Sequence, residues 1–150
     1  MISRYLNHFR QITGNTFFEP AVESNLNKIN MELTNRKFAS IPDEYRNFLK
    51  LSDGLIINGI EFYGTMPHYR EEKEYTFPNL ITVNEYYLSY DYFIHKLVIG
   101  RISENLLLYN EAEKVYTITD RINLRPILEC DSFVAFLKIF YDHALPQNER

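Results

Sequence analysis

The chain has 150 residues, an apolar fraction of 45% and a net charge of −4, from 16 basic and 20 acidic side chains. That length suits one domain, residues 1–150, with one real hydrophobic core. The acidic balance argues against direct nucleic-acid binding, which needs clustered Lys and Arg, and no run approaches the roughly 20 apolar residues that a membrane span requires.

In chain order, Ile2, Tyr5, Leu6, Phe9 and Ile12 form a helical stripe that ends at Thr13-Gly14-Asn15. Val22, Leu26, Ile29 and Leu33 repeat the pattern over Pro20–Leu33, and Asn35–Ser40 is a polar connection. Pro42 suits the first position of a third helix, with Asp43 and Glu44 near its positive end. Tyr45, Phe48, Leu49 and Leu51 form its apolar side, Asp53 reads as a turn residue, and Gly54 as a left-handed stop. Leu55–Ile57 and Ile60–Tyr63 flank Asn58-Gly59, a strong signal for a tight hairpin.

Met66–Asn79 is the least regular part and is read as a loop or protruding excursion, with an edge strand at Tyr75–Phe77. Thr82–Tyr92 is read as a short helix with a Thr82/Glu85 capping box, although its tyrosines equally suit a strand. Lys96–Ile102, Asn105–Tyr109 and Lys114–Thr119 predict three strands of an antiparallel meander, and Pro126–Leu128 a short edge strand. Asp131 or Ser132 caps a last helix with the stripe Phe133, Phe136, Leu137, Phe140 and Tyr141, and Pro146–Arg150 is expected to fray. The expected class is α+β: N-terminal helices, a central antiparallel sheet of about five to six strands, and a C-terminal helix packed on one face.

Cys130 is the single cysteine, so no internal disulfide can form, and MISRYLNHFRQ carries polar residues throughout, with no apolar core of signal-peptide length. The expectation is a soluble cytoplasmic protein. His8, His68, His95 and His143 show no metal-ligand spacing and read as exposed or capping residues, with His143 placed to favour a helix C-terminus. No nucleophile elbow, P-loop or dinucleotide fingerprint is present, so no catalytic, cofactor or metal residue is assigned.

There are 12 tyrosines, 11 phenylalanines and no tryptophan. Tyrosine at this density should partly lie at the surface, because each buried hydroxyl needs a partner. Tyr69, Glu71, Glu72, Glu74, Tyr75, Tyr86, Tyr87, Tyr90, Asp91 and Tyr92 therefore form a candidate surface for a basic protein partner, with Glu61 at its edge. The alternative is that half of these tyrosines are core and the acids serve solubility.

One pattern carries a family resemblance. Ile41, Pro42, Glu44, Tyr45, Phe48, Leu49, Lys50, Asp53, Gly54 and Leu55 resemble the signature of the SUKH superfamily, the Smi/Knr-type domains. Three further segments fall in matching order: Asn58-Gly59 with Phe62-Tyr63-Gly64, Leu97–Gly100 with Leu107–Asn110, and Asp131–Leu137. The resemblance spans Pro20 to Leu145, is nearest to a bacterial branch with a tyrosine-rich middle, and departs from the wider pattern in lacking tryptophan. It implies an α+β protein-binding domain without a cofactor. Bacterial members act mainly as cytoplasmic immunity proteins that neutralise a toxin domain encoded nearby, often a nuclease or deaminase. Eukaryotic members serve as regulators and scaffolds. The resemblance thus implies a non-enzymatic immunity protein for a basic toxin domain, with a scaffold or regulatory module as the alternative. Immunity surfaces vary among relatives, so no contact residue is carried over.

Overall fold

Three helices form in the N-terminal third of the computed structural model, which describes residues 2–144. α1 (Ile2–Arg10) buries Leu6 and Phe9, and Ile12 is buried just beyond its end. α2 (Glu23–Asn35) buries Leu26, Ile29 and Leu33; it starts after Pro20 because Val22 is still extended. α3 (Asp43–Leu49) buries Tyr45, Phe48 and Leu49, and extended Pro42 stands just before it. Leu51 is 39% exposed, so it does not join the apolar stripe. Nor does Gly54 stop the helix, which ends at Leu49 with right-handed Lys50 as its cap. Gly54, at φ +113°, turns the chain into the sheet where a Cβ would stand 2.9 Å from the Phe62 carbonyl.

The strands are β1 (Asn15–Phe17), β2 (Leu55–Ile57), β3 (Ile60–Phe62), β4 (His68–Arg70), β5 (Tyr75–Phe77), β6 (Lys96–Ile102), β7 (Asn105–Asn110), β8 (Val115–Asp120) and β9 (Pro126–Cys130). Seven build one antiparallel sheet in the order β1-β2-β3-β6-β7-β8-β9, while β4 and β5 pair separately. The class is α+β as expected, with more strands than the sequence suggested. Both additions are short: β1 follows the turn that closes at Gly14, and β4 lies in the segment read as irregular. Asn58-Gly59 joins β2 to β3 with φ +45° and +82°, the left-handed pair that a tight hairpin needs.

Alternation along the strands gives the sheet two faces. Phe62 and Tyr116 face the main core, where they meet Phe133 and Phe140 or Phe136 of α5 (Phe133–Ala144). Tyr45 and Phe48 of α3 pack on the same Phe133, and α1 joins through Phe9 against Tyr141. Two devices start α5: Ser132 Oγ accepts from Ala135 N–H at 3.1 Å, and Glu44 Oε1 accepts from Phe133 N–H at 3.0 Å. Glu44 therefore caps a distant helix besides serving its own first turn. The expectations for the His143 side chain and for Pro146–Arg150 lie outside the described residues.

One helix meets the edge of the sheet. α4 (Leu80–Glu85) is capped by Asn79, which accepts from Thr82 N–H at 3.0 Å; the Thr82/Glu85 box does not form. Glu85 instead pairs with Arg36 on α2 at 3.1 Å. α4 also completes the sheet where β3 ends. Tyr63 N–H donates to the Ile99 carbonyl at 2.8 Å, and beyond it β6 has no strand partner on that side among the described residues. There Asn84, fully buried, accepts from Val98 N–H at 2.8 Å and donates to its carbonyl at 2.9 Å. One side-chain amide thus replaces a residue of missing strand.

Candidate protein-binding face

The second face of the sheet is organised by one cross-strand row. Thr16, Ile56, Glu61, Arg101, Leu106 and Thr119 stand opposite one another in register from β1 to β8. Every residue singled out as a candidate contact lies on this face or on the two segments that fold over it.

The β4–β5 hairpin folds over the β1 end. It is not a free excursion, since Phe77 is fully buried and stacks on Phe18 at 5.6 Å, and Arg70 donates to Thr16 Oγ1 at 3.2 Å. Its anchor is Asp53, which is 2% exposed and is no simple turn residue. Asp53 Oδ1 accepts from Thr65 N–H at 2.7 Å and from the Thr65 hydroxyl at 3.0 Å, and Oδ2 accepts from Met66 N–H at 3.1 Å. His68 Nε2 lies 2.9 Å from the Asp53 carbonyl and 3.1 Å from Oδ2, two acceptors that require the proton on Nε2. The imidazole stacks on Phe18 at 4.2 Å and 9°. His68 is therefore neither exposed nor a helix cap. Of the other histidines, His8 packs against Tyr5 and Tyr141, while His95 is exposed.

On this hairpin Tyr69 is exposed and Tyr75 half-exposed. Glu71 and Glu72 occupy a tight turn, and Glu74 follows at φ +49°. Glu72 pairs with Arg70 at 3.2 Å; a hydrogen bond to its own backbone holds its carboxyl below the usual range, with Arg70 adding to the effect. Glu61 differs from the availability expected of it. It points away from the main core as its strand position requires, but Arg101 Nε holds it at 2.9 Å and the Tyr63 hydroxyl donates to it at 3.3 Å. Its side chain is 16% exposed. Partial burial, reinforced by Glu61, raises the Tyr75 hydroxyl above its ordinary range.

The other cluster covers the β8 end. Burial raises the Tyr92 hydroxyl above its ordinary range, and Lys96 Nζ stands 4.4 Å over its ring. Tyr87 stacks on buried Phe93 at 4.4 Å, and burial raises its hydroxyl above the ordinary range. Tyr86 and Tyr90 lie beside it, 82% and 57% exposed, and Asp91 is exposed at the next position. Of the tyrosines in this cluster, Tyr87 and Tyr92 are half-buried supports, while Tyr86 and Tyr90 present their rings.

Sequence reasoning did not single out the residues that join the two clusters. Arg121 and Arg101 line one shallow depression with Glu104, and Arg121 is held by Glu104 at 2.9 Å. Arg121, Ile122 and Leu124 then line a groove with Tyr86, Tyr87, Tyr90 and Phe93. Ile122 is 87% exposed. The available signal was one isoleucine in the polar loop Asp120–Arg125, whose tip is shaped by Asp120 accepting from Ile122 N–H and Asn123 N–H at 2.8 and 3.0 Å.

Among the described residues, no three His, Cys, Asp or Glu side chains are grouped to hold a metal ion, and no helix is long and apolar enough to cross a membrane. No protein-family model matches the chain, and no curated protein matches it.

Proposed function

We propose that this chain is a non-enzymatic, cytoplasmic immunity protein of the SUKH type, which binds a basic toxin domain encoded nearby and blocks it by occlusion. The observation that carries the reading is the second face of the sheet. Tyr69, Tyr75, Tyr86 and Tyr90 are exposed there together with Ile122. Exposed rings on well-packed supports give contact area at low entropic cost, the property expected of a protein-binding surface. Glu71 and Glu74 on the hairpin have no internal cation partner among the described residues and would steer a basic partner. The order of the family-like segments supplies the toxin-specific part of the reading.

Co-expression with the toxic domain of the neighbouring gene tests it. The expected result is rescued growth and a stable one-to-one complex on size exclusion. Neither rescue nor complex would end the proposal. A regulatory scaffold would use the same surface, and capture of a housekeeping protein from the native host, with no toxin complex, would favour that reading.

A further inference from the structure

We infer that two copies of the free chain meet at the Tyr86–Ile122 groove, as a weak homodimer about a two-fold axis that runs along it. This goes beyond the toxin-binding reading and does not depend on it.

The groove has two unlike walls. Tyr86, Tyr87, Tyr90 and Phe93 form one, and Arg121, Ile122 and Leu124 the other. The second wall is preorganised. Asp120 accepts from Ile122 N–H at 2.8 Å and Asn123 N–H at 3.0 Å, and Asn123 Oδ1 accepts from Arg125 N–H at 2.9 Å. Leu124 N–H donates to the Asp120 carbonyl at 2.9 Å. Leu124 is half-buried at φ +59°, a left-handed conformation that a bulky residue adopts only at a cost. The loop that bears this cost presents Ile122 outward, 87% exposed, with little freedom left to lose on binding. An apolar prong thus stands across from an aromatic wall whose Tyr86 is 82% exposed. An isologous contact requires one patch to carry both complementary halves. A two-fold axis along the groove meets that condition, because it sets the loop wall of each copy on the tyrosine wall of the other.

Charge agrees. Arg121 is paired with Glu104 and Glu85 with Arg36, Asp120 is engaged by its own loop, and Lys96 Nζ donates to the Tyr92 carbonyl at 2.9 Å. Glu113 and Glu129 line a separate depression that shares only Leu124 with the groove. There remain Asp91, next to Tyr90, and Arg125, next to Leu124, both exposed and without an ion-pair partner among the described residues. They have opposite signs and belong to opposite walls, so the same axis brings each Asp91 toward the partner's Arg125. A chain of net charge −4 repels its own copy unless the contact is locally balanced, as this one is. The exposed parts of Tyr86, Tyr90 and Ile122 come to roughly 400 Å² per copy, about half of the roughly 800 Å² on each side of a standard interface. That size suits a concentration-dependent dimer rather than an obligate one.

Sedimentation equilibrium of the full chain, between about 10 μM and about 1 mM, tests the inference in the range where small interfaces associate. The mass should rise from 17.9 kDa toward twice that value and stop there. Ile122→Asp and, independently, Tyr86→Ala should each weaken association at least about tenfold, since two copies of the side chain leave the contact. Both side chains are exposed, and unchanged far-UV spectra verify folding. Asp91→Arg and Arg125→Asp should each weaken association by setting like charges together, and the double variant should regain the native affinity. A monomer at the highest concentration, growth past the dimer, an unchanged dimer in Ile122→Asp, or no recovery in the double variant would overturn the inference.

Discussion

Replacing Asp53 with alanine should cost this domain more than any other single surface-proximal change. The carboxylate is 2% exposed and receives Thr65 N–H, the Thr65 hydroxyl, Met66 N–H and His68 Nε2–H. A buried donor left without its acceptor costs about 1–3 kcal/mol. His68 keeps the Asp53 backbone carbonyl at 2.9 Å and is partly exposed, so its loss is the smallest. The two backbone donors dominate, and the expected destabilisation is about 3–5 kcal/mol, a large share of the roughly 5–15 kcal/mol that holds a domain together. Asp53→Asn should lose about 2–3 kcal/mol, because an amide nitrogen in place of one oxygen faces donors with a donor. Equilibrium urea unfolding measures both, with exposed Asp43→Ala as the reference. Amide exchange should show Thr65 and Met66 losing protection first, followed by the β4–β5 hairpin that they lead into. A loss below about 1 kcal/mol for Asp53→Ala, or uniform loss of protection, would refute the anchoring role.

Asn84→Leu removes both bonds to Val98 and should destabilise by about 2–4 kcal/mol, with the Val98 amide exchanging faster; an unchanged midpoint would mean that water replaces the amide. Alkaline pH should unfold the protein steeply. Burial raises the hydroxyls of Tyr45, Tyr63 and Tyr116, so their contribution is complete below the unfolded value near about 10 and is lost as pH climbs toward the folded values. Three such groups give a slope of about 4 kcal/mol per pH unit, and Tyr116→Phe should remove about a third of it; a flat profile above about pH 10 would contradict the burial argument. Reversing Glu71, Glu72 and Glu74 together should slow association with a basic partner in stopped-flow mixing and flatten its salt dependence, while leaving dissociation nearly unchanged.

Much of the scaffold was readable because its signals are local. Helical spacing places Leu6, Phe9, Tyr45, Phe48, Phe133 and Phe140; Asn58-Gly59 accepts left-handed φ; and the runs at Lys96, Asn105 and Lys114 meet through short turns. Each signal acts within a few residues, so one chain suffices to read it. The errors arose where a partner lies far along the chain. Asp53 has the composition of a turn residue, and its burial depends on Thr65, Met66 and His68 arriving from the next hairpin. Glu44 finds the start of a helix 89 residues away, and Asn84 acts as a missing strand only because β3 turns off at Tyr63.

The same division separates scaffold from candidate site. Sequence alone determined an α+β domain, its main helices and meander, and the two tyrosine-rich stretches, because hydrophobic period and turn chemistry are properties of neighbouring residues. Tertiary structure decided that both stretches lie over one face, that Glu61 and Glu72 are held by arginines, and that Ile122 completes a groove with Tyr86 and Tyr90. Those outcomes depend on strand order and register, which bring together side chains far apart along the chain, and no local pattern encodes that distance.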